Sequence, residues 1–199
     1  MVCSGEHFVH ALVKDSAKLT WPSTPTFSML LDSANDFQGV VPHKFIYAMT
    51  QLRHLRLHMN GFFGALQKEI VRMKELRELN LFGNYFGGTI PKELSQLTKL
   101  EYIDIYANQL EGTIPTELGK LKRLRFLDLH DNNLTGTVPQ EICKLKLDGL
   151  VVDCLGRKPE VKCDCCTICC RGLPDFRCID MKTQTEIIFG KPEQALLKS

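Results

Sequence analysis

The sequence predicts an α/β repeat solenoid with a cysteine-rich end, and three observations carry that prediction. Leu52, Leu76, Leu100 and Leu124 stand 24 residues apart. Asn60, Asn84, Asn108 and Asn132 share the same period, and two columns of different chemistry on one period cannot arise from hydrophobic composition alone. Eight of the nine cysteines then fall between Cys143 and Cys178, at and beyond the end of the last copy. Tandem units of this length bury their apolar faces against their neighbours and present the same positions along a continuous ribbon. Function is therefore expected on that ribbon.

In register, the segments that start at Leu52, Leu76, Leu100 and Leu124 follow LxxLxLxxNxLxGxIPxxLxxLxx, with apolar residues at positions 1, 4, 6, 11, 15, 19 and 22. Leu79 and Leu81, like Leu127 and Leu129, alternate with period two and predict a short strand with one buried face. The Asn at position 9 stands where the chain leaves that strand, and its amide can supply both a donor and an acceptor to backbone groups that would otherwise lack partners. Gly88, Gly112 and Gly136 give conformational freedom at the next bend. Pro91, Pro115 and Pro139 block helix before them and permit it afterwards. Glu93, Glu117 and Glu141 follow, where a helical first turn favours negative charge. Leu94 and Leu97, three apart, suit one helical or 3₁₀ turn. Each unit thus reads as strand, turn and return segment.

The periodicity divides the chain as follows. Residues 1–26, with Trp21, form a poorly defined N-terminal segment, and 27–51 a degenerate first repeat. In that repeat "LLDSANDFQGVVP" aligns Asn35, Phe37, Gly39, Val41 and Pro42 but puts Asp32 where an apolar strand residue belongs. Four full repeats occupy 52–147, a cysteine-rich cap 148–178, and a tail 179–199 with a short strand around Glu186 to Phe189.

The runs "GGTIPKEL", "EGTIPTEL" and "TGTVPQEI", together with "LDLHDNNLTG", resemble the plant-type leucine-rich repeat family. The resemblance spans residues 52–147. It implies a right-handed superhelix with short parallel strands on the concave side, 3₁₀ or short helices on the convex side, and a role in recognition. The string "LVVDCLGRKPEVKCDCCTICC" also resembles the closing segment of leucine-rich repeat receptor-like proteins of unicellular algae such as diatoms. Those proteins are typically membrane-anchored or exported, so this second resemblance implies a receptor-like ectodomain in an oxidising compartment.

Composition narrows the alternatives. In 199 residues, 25 basic side chains are nearly balanced by 23 acidic ones, so the electrostatic footprint of a nucleic-acid binder is missing. No stretch of 18 or more apolar residues occurs, and "MVCSGEHFVHALVKDSAKLTWPSTPT" has no apolar core of signal-peptide type. An extracellular or membrane-associated location therefore requires a signal or anchor in a missing segment. Cys143, Cys154, Cys163, Cys165, Cys166, Cys169, Cys170 and Cys178 make an even set that predicts four bridges covering the last solenoid layer, with Cys3 left over. Eight cysteines allow 105 pairings. Within "DCLGRKPEVKC", read as a short hairpin, the weak preference is Cys154 with Cys163 or a near neighbour. The metal alternative rests on the knuckle spacings Cys163/Cys166 and Cys166/Cys169, which share Cys166 and lack a second knuckle at the usual separation, so neither a metal nor another cofactor is expected. The sequon at Asn133 marks a candidate glycosylation site on an exposed turn.

In the family, strand positions 3, 5, 7 and 8 face out from the concave sheet. Position 3 gives His54, Glu78, Tyr102 and Phe126; position 5 gives Arg56, Asn80, Asp104 and Asp128. Position 7 is a column of rings, His58, Phe82, Tyr106 and His130, and position 8 adds Met59, Gly83, Ala107 and Asp131. A continuous aromatic patch marks a binding face. The alternative is that stacked aromatics simply stabilise the ladder. Charge is expected to run from His54, Arg56 and His58 at one end to Asp104, Asp128 and Asp131 at the other, selecting an extended peptide of opposite charge order. An acidic ligand segment beside His54 and His58 would bind more tightly as pH falls through about 6.5. His130 beside Asp128 and Asp131 hints at acid–base chemistry, but the face offers no Ser or Cys nucleophile, so no enzyme is expected. The expected partner is a protein, a peptide or a cell-wall glycan, with no nucleic acid. Competing readings are an enzyme inhibitor similar to polygalacturonase-inhibiting proteins, which are usually about twice as long in repeats, and an intracellular metal or redox protein built on the cysteine cluster.

Overall fold

The computed structural model describes residues 27–30, 38–41, 49–155, 160–171 and 177–187. Asn35, Phe37 and Pro42 of the degenerate repeat lie outside them, as do Cys3, Trp21 and the tail beyond residue 187.

Each coil of the solenoid contributes a strand to each of two sheets. The first sheet comprises β1 (Phe27–Leu30), β3 (Leu52–Arg56), β5 (Glu78–Asn80), β7 (Tyr102–Asp104), β9 (Phe126–Asp128), β11 (Gly149–Asp153) and β13 (Ile168–Arg171), paired side by side in that order and all parallel. Strands β14 (Arg177–Asp180) and β15 (Glu186–Ile187) close this sheet as antiparallel additions. The second sheet runs β2 (Gln38–Val40), β4 (Gly61–Ala65), β6 (Tyr85–Thr89), β8 (Gln109–Thr113), β10 (Asn133–Thr137) and β12 (Val161–Lys162), also parallel. Return segments are 3₁₀ turns at Lys68–Arg72, Lys92–Gln96 and Thr116–Lys120, and one α-helical turn at Gln140–Cys143. Pro91, Pro115 and Pro139 stand immediately before the last three, in extended conformation, as their missing N–H and fixed φ require.

The period places one set of apolar side chains on every layer. Leu52, Leu76, Leu100 and Leu124 are 5% exposed or less, and Leu94, Leu97, Ile103, Leu118 and Leu127 are fully buried between the sheets and the return turns. The asparagines join the layers. Asn84 Nδ2 donates to the carbonyl of Leu81 in its own coil and to that of Leu57 in the preceding coil, both at 2.9 Å, while its Oδ1 accepts the N–H of Phe62 at 3.1 Å. Asn108 and Asn132 repeat the arrangement one and two coils further on. One amide therefore satisfies backbone groups of two successive coils, which is why this column is as regular as the leucines.

The second sheet was not legible in the repeat pattern, where positions 10 to 14 read as a bend. Gly112 shows what that stretch demands: its φ is +80°, and a Cβ there would lie 3.2 Å from Cγ2 of Thr89. The glycine column both takes up the left-handed backbone and leaves room for the position-14 side chain of the coil before it.

Four disulfides close the C-terminal end: Cys143–Cys165, Cys154–Cys169, Cys163–Cys166 and Cys170–Cys178. The preference for Cys154 with Cys163 is corrected. Cys154 directly follows β11, which pairs in parallel with β13 so that Cys169 lies opposite Val152, close enough for Cys154 to bridge to it; Cys163 and Cys166 close a short turn of their own. Val161, Cys166 and Cys169 join the main core over Leu150 and Val152. On the other side of the sheet Val151, Cys170 and Cys178 form a small separate core with Phe126, Ile168 and Ile187 against it.

Candidate ligand-binding face

The side chains of positions 3, 5 and 7 on the first sheet stand side by side because the strands are in exact-repeat register: His54↔Glu78↔Tyr102↔Phe126 and Arg56↔Asn80↔Asp104↔Asp128 are direct partners. Parallel pairing puts identical positions about 4.7–4.9 Å apart, a distance at which flat rings stack. His58, Phe82, Tyr106 and His130 form one continuous stack with centroid separations of 4.8, 4.7 and 4.6 Å. Tyr102 and Phe126 form a second, at 4.7 Å and 7° between planes. Phe126 in turn lies over Gly149 of β11, where a Cβ would fall 2.4 Å from the ring.

The two stacks are the walls of a trough whose floor is Asn80, Asp104 and Asp128. The rings are half-buried, but Asp104 is 5% exposed, Asp128 4% and His130 1%. Three residues read from the sequence as ligand-facing are thus shaded. The flanking rings cover position 5, and β11 with the Cys170–Cys178 hairpin continues the sheet past His130. Asp128 Oδ1 accepts from the backbone N–H of His130 and bonds its Nδ1. Burial opposes charge on the imidazole, yet the hydrogen bond and charge of Asp128 outweigh it and raise the His130 pKa. Asp104 Oδ2 accepts the Tyr102 hydroxyl at 3.2 Å. Burial first, and the neighbouring charge of Asp104 second, push both Tyr102 and Tyr106 up, so both phenols stay neutral at physiological pH.

At the other end the expected positive charge of His54 and Arg56 meets a carboxylate. Glu78 bonds Nδ1 of His54 at 2.9 Å and takes a two-pronged contact from Arg56 through Nε and Nη2. Burial works against ionisation of Glu78, but the bonds from Arg56 and His54 outweigh it and hold the carboxyl below its ordinary range. Position 8 serves the backbone: Met59, Ala107 and Asp131 have φ near +50° and Gly83 +65°, a left-handed turn after each strand.

Outside the trough, Val40, Phe63 and Tyr85 are direct register partners on the second sheet and are 58%, 49% and 58% exposed, an apolar row that the repeat consensus did not signal because none of them occupies a consensus position. A groove of about 730 Å³ on that side is lined by Thr89, Ile90, Pro91, Glu93, Thr113 and Glu117. Asn133 is exposed at the start of β10. Among the described residues the one grouping of metal-ligand type is His130 with Cys170 and Cys178, whose two sulfurs are bonded to each other. No helix among the described residues is long and apolar enough to cross a membrane.

The Leucine Rich Repeat family model matches residues 75–97, 99–121 and 123–145, three successive coils of this stack. The fold is a leucine-rich-repeat solenoid. Three of the similar solved structures are ectodomains of Arabidopsis receptor kinases. That of the membrane receptor kinase GASSHO1/SCHENGEN3, solved in complex with CASPARIAN STRIP INTEGRITY FACTOR 2, is 32% identical over 63% of this chain and 14% of its own, with a TM-score of 0.56. The ectodomain of the receptor kinase SOBIR1 is 28% identical over 58% of this chain and 62% of its own, with a TM-score of 0.55. That of HAESA, solved with an IDA peptide hormone, is 38% identical over 54% of this chain and 18% of its own, with a TM-score of 0.52. The chain spans less than two thirds of the length of each. No curated protein matches it.

Proposed function

We propose that this leucine-rich-repeat solenoid is a non-enzymatic recognition module that binds an extended peptide, or an extended segment of a protein, along its concave trough. The observation that carries the reading is the pair of ring stacks. Six side chains from four successive coils form two parallel aromatic rails with hydrogen-bonding groups between them, which suits a chain that lays side chains on the rails and backbone over the floor. The ladder alone does not require aromatic residues at both columns, whereas a rail that recognises side chains does. The HAESA ectodomain, similar in fold and solved with a peptide hormone, supports the same choice over a glycan or an enzyme target. His130, the last ring of its stack, is held against Asp128, and the nearby Cys170 sulfur is in a disulfide, so the trough supplies a surface rather than a nucleophile.

The four disulfides and the ectodomain likeness support work outside the cell or at its surface, as in receptor-like proteins, including those of algae that the closing segment resembles. The test is selection from a random linear-peptide library, followed by titration of selected peptides against Phe82→Ala, Tyr106→Ala and, on the outer sheet, Tyr85→Ala. Loss of roughly tenfold or more in affinity at Phe82 and Tyr106 with none at Tyr85 is expected, about 1.4 kcal/mol each. Binding abolished by Tyr85→Ala and untouched by the concave changes would move the site to the other sheet.

A further inference from the structure

The floor of the trough holds a carboxylate with no evident reason to be charged. Asp104 lies between Asn80 and Asp128 in direct register, so its nearest neighbours along the sheet are a neutral amide and a second carboxylate. Asp128 has His130 bonded to it. Asp104 takes the Tyr102 hydroxyl on Oδ2 and a lesser favourable contact from the Tyr106 backbone N–H, while its Oδ1 is buried with no hydrogen-bond partner of normal geometry among the described residues. The stacks Tyr102–Phe126 and Phe82–Tyr106–His130 keep water from it on both sides. An ionised Asp104 is therefore dehydrated, short of donors and beside a like charge, while the protonated acid escapes all three costs and gains a donor of its own.

We propose that Asp104 is a proton-binding site built into the concave face, neutral in mildly acidic surroundings and ionised as they approach neutrality, so that the trough changes charge with pH. The titratable groups facing it are Tyr102 on β7 and Tyr106 just after that strand, Glu78 on β5, where Arg56 and His54 already engage it, Asp128 at the end of β9 with His130 and Asp131 just after it, and Asp153 on β11 beyond His130. Burial, then the charge of Asp128, push the Asp104 carboxyl up to about 7, against smaller opposing effects of the Tyr102 hydroxyl, the Tyr106 backbone N–H and the charge of His130. Asp153 is pushed up to about 6, by burial first.

The sign follows from linkage. A carboxyl whose folded pKa lies above its unfolded value of 3.8 adds stability that is fully present below 3.8 and is lost as pH rises through about 7. Asp153 acts in the same direction through about 6, and the raised His130 likewise loses its contribution as pH climbs above 6.5. All three oppose the usual carboxylate trend, so the fold is strengthened in the mildly acidic range. A further consequence, which does rest on the concave-face reading above, is that ligands with a basic group are favoured once the proton has left.

The experiment is a carbon-13 NMR titration of aspartate carboxyls in the ligand-free chain, from pH 4 to 9, on wild type, Asp104→Asn and Asp128→Asn. One carboxyl titrating near 7, missing in Asp104→Asn and shifted down by roughly one unit in Asp128→Asn, is expected. Urea unfolding of wild type, which needs no variant to fold, should show stability falling between pH 5 and 8. Every aspartate carboxyl titrating below pH 5 overturns the proposal. Because no ligand is present, that failure is separate from failure of the peptide-binding reading.

Discussion

Asn84 Nδ2 reaches back 27 residues to the carbonyl of Leu57 at 2.9 Å, and its Oδ1 holds the N–H of Phe62, so one buried amide joins two successive coils. Removing it leaves a buried donor and at least one buried acceptor unsatisfied, each costing about 1–3 kcal/mol. Asn84→Ala is expected to destabilise the chain by about 2–4 kcal/mol in urea unfolding. Asn133→Ala, exposed on β10, should fall within about 0.5 kcal/mol of wild type. Equal effects at the two positions would mean that the asparagine ladder contributes little.

Phe126 occupies the space that a Cβ on Gly149 would need. Gly149→Ala is expected to cost about 1–3 kcal/mol by overpacking. Because Phe126 is also the partner of Tyr102, near-ultraviolet circular dichroism from the aromatic stack should change with it. Loss of stability with an unaltered aromatic spectrum would show that the backbone, not the ring, gives way.

The Cys143–Cys165 bridge closes a loop of sequence separation 22 and ties the last return turn to the cap. Replacing both cysteines with serine is expected to lower stability by about 3 kcal/mol on loop entropy alone. The comparison is made by denaturant unfolding with the other bridges intact. A loss no larger than that of an exposed surface change would indicate that the cap is held by packing.

Glu78 carries the opposite pH signature from Asp104. Its carboxyl is held below the ordinary 4.5, so its contribution is fully present above 4.5 and fades as pH falls through the lower folded value. Glu78→Gln should cost roughly 1 kcal/mol at pH 7, since the pair with Arg56 is only partly buried. The gap from wild type should narrow in unfolding measurements carried below pH 4. A gap that stayed constant with pH would assign the loss to packing alone.

The repeat period made most of the architecture readable because each consensus position answers to one local demand. Leu79 and Leu81 needed a buried strand face, Pro91 a non-helical approach to the return turn, and Asn84 a place to satisfy backbone groups; all three occur as expected. The outer sheet was hidden for the same reason. Tyr85, Gln109 and Asn133 at its first position share no chemistry, since a strand held by main-chain pairing on an exposed face places little constraint on its side chains.

By itself, then, the sequence determined the layered stack, the ring columns of the concave side and the crosslinked end, because these follow from spacing and residue type within a unit. Tertiary structure alone decided the cysteine pairing, the shading of Asp104, Asp128 and His130, and the capture of Arg56 and His54 by Glu78. Those depend on which side chain of one coil meets which side chain of the next, a contact across 22 to 24 residues in which neighbours compete for the same partner. A one-dimensional period lists the groups that are available, and only their simultaneous packing settles which charges are met and which are left facing one another.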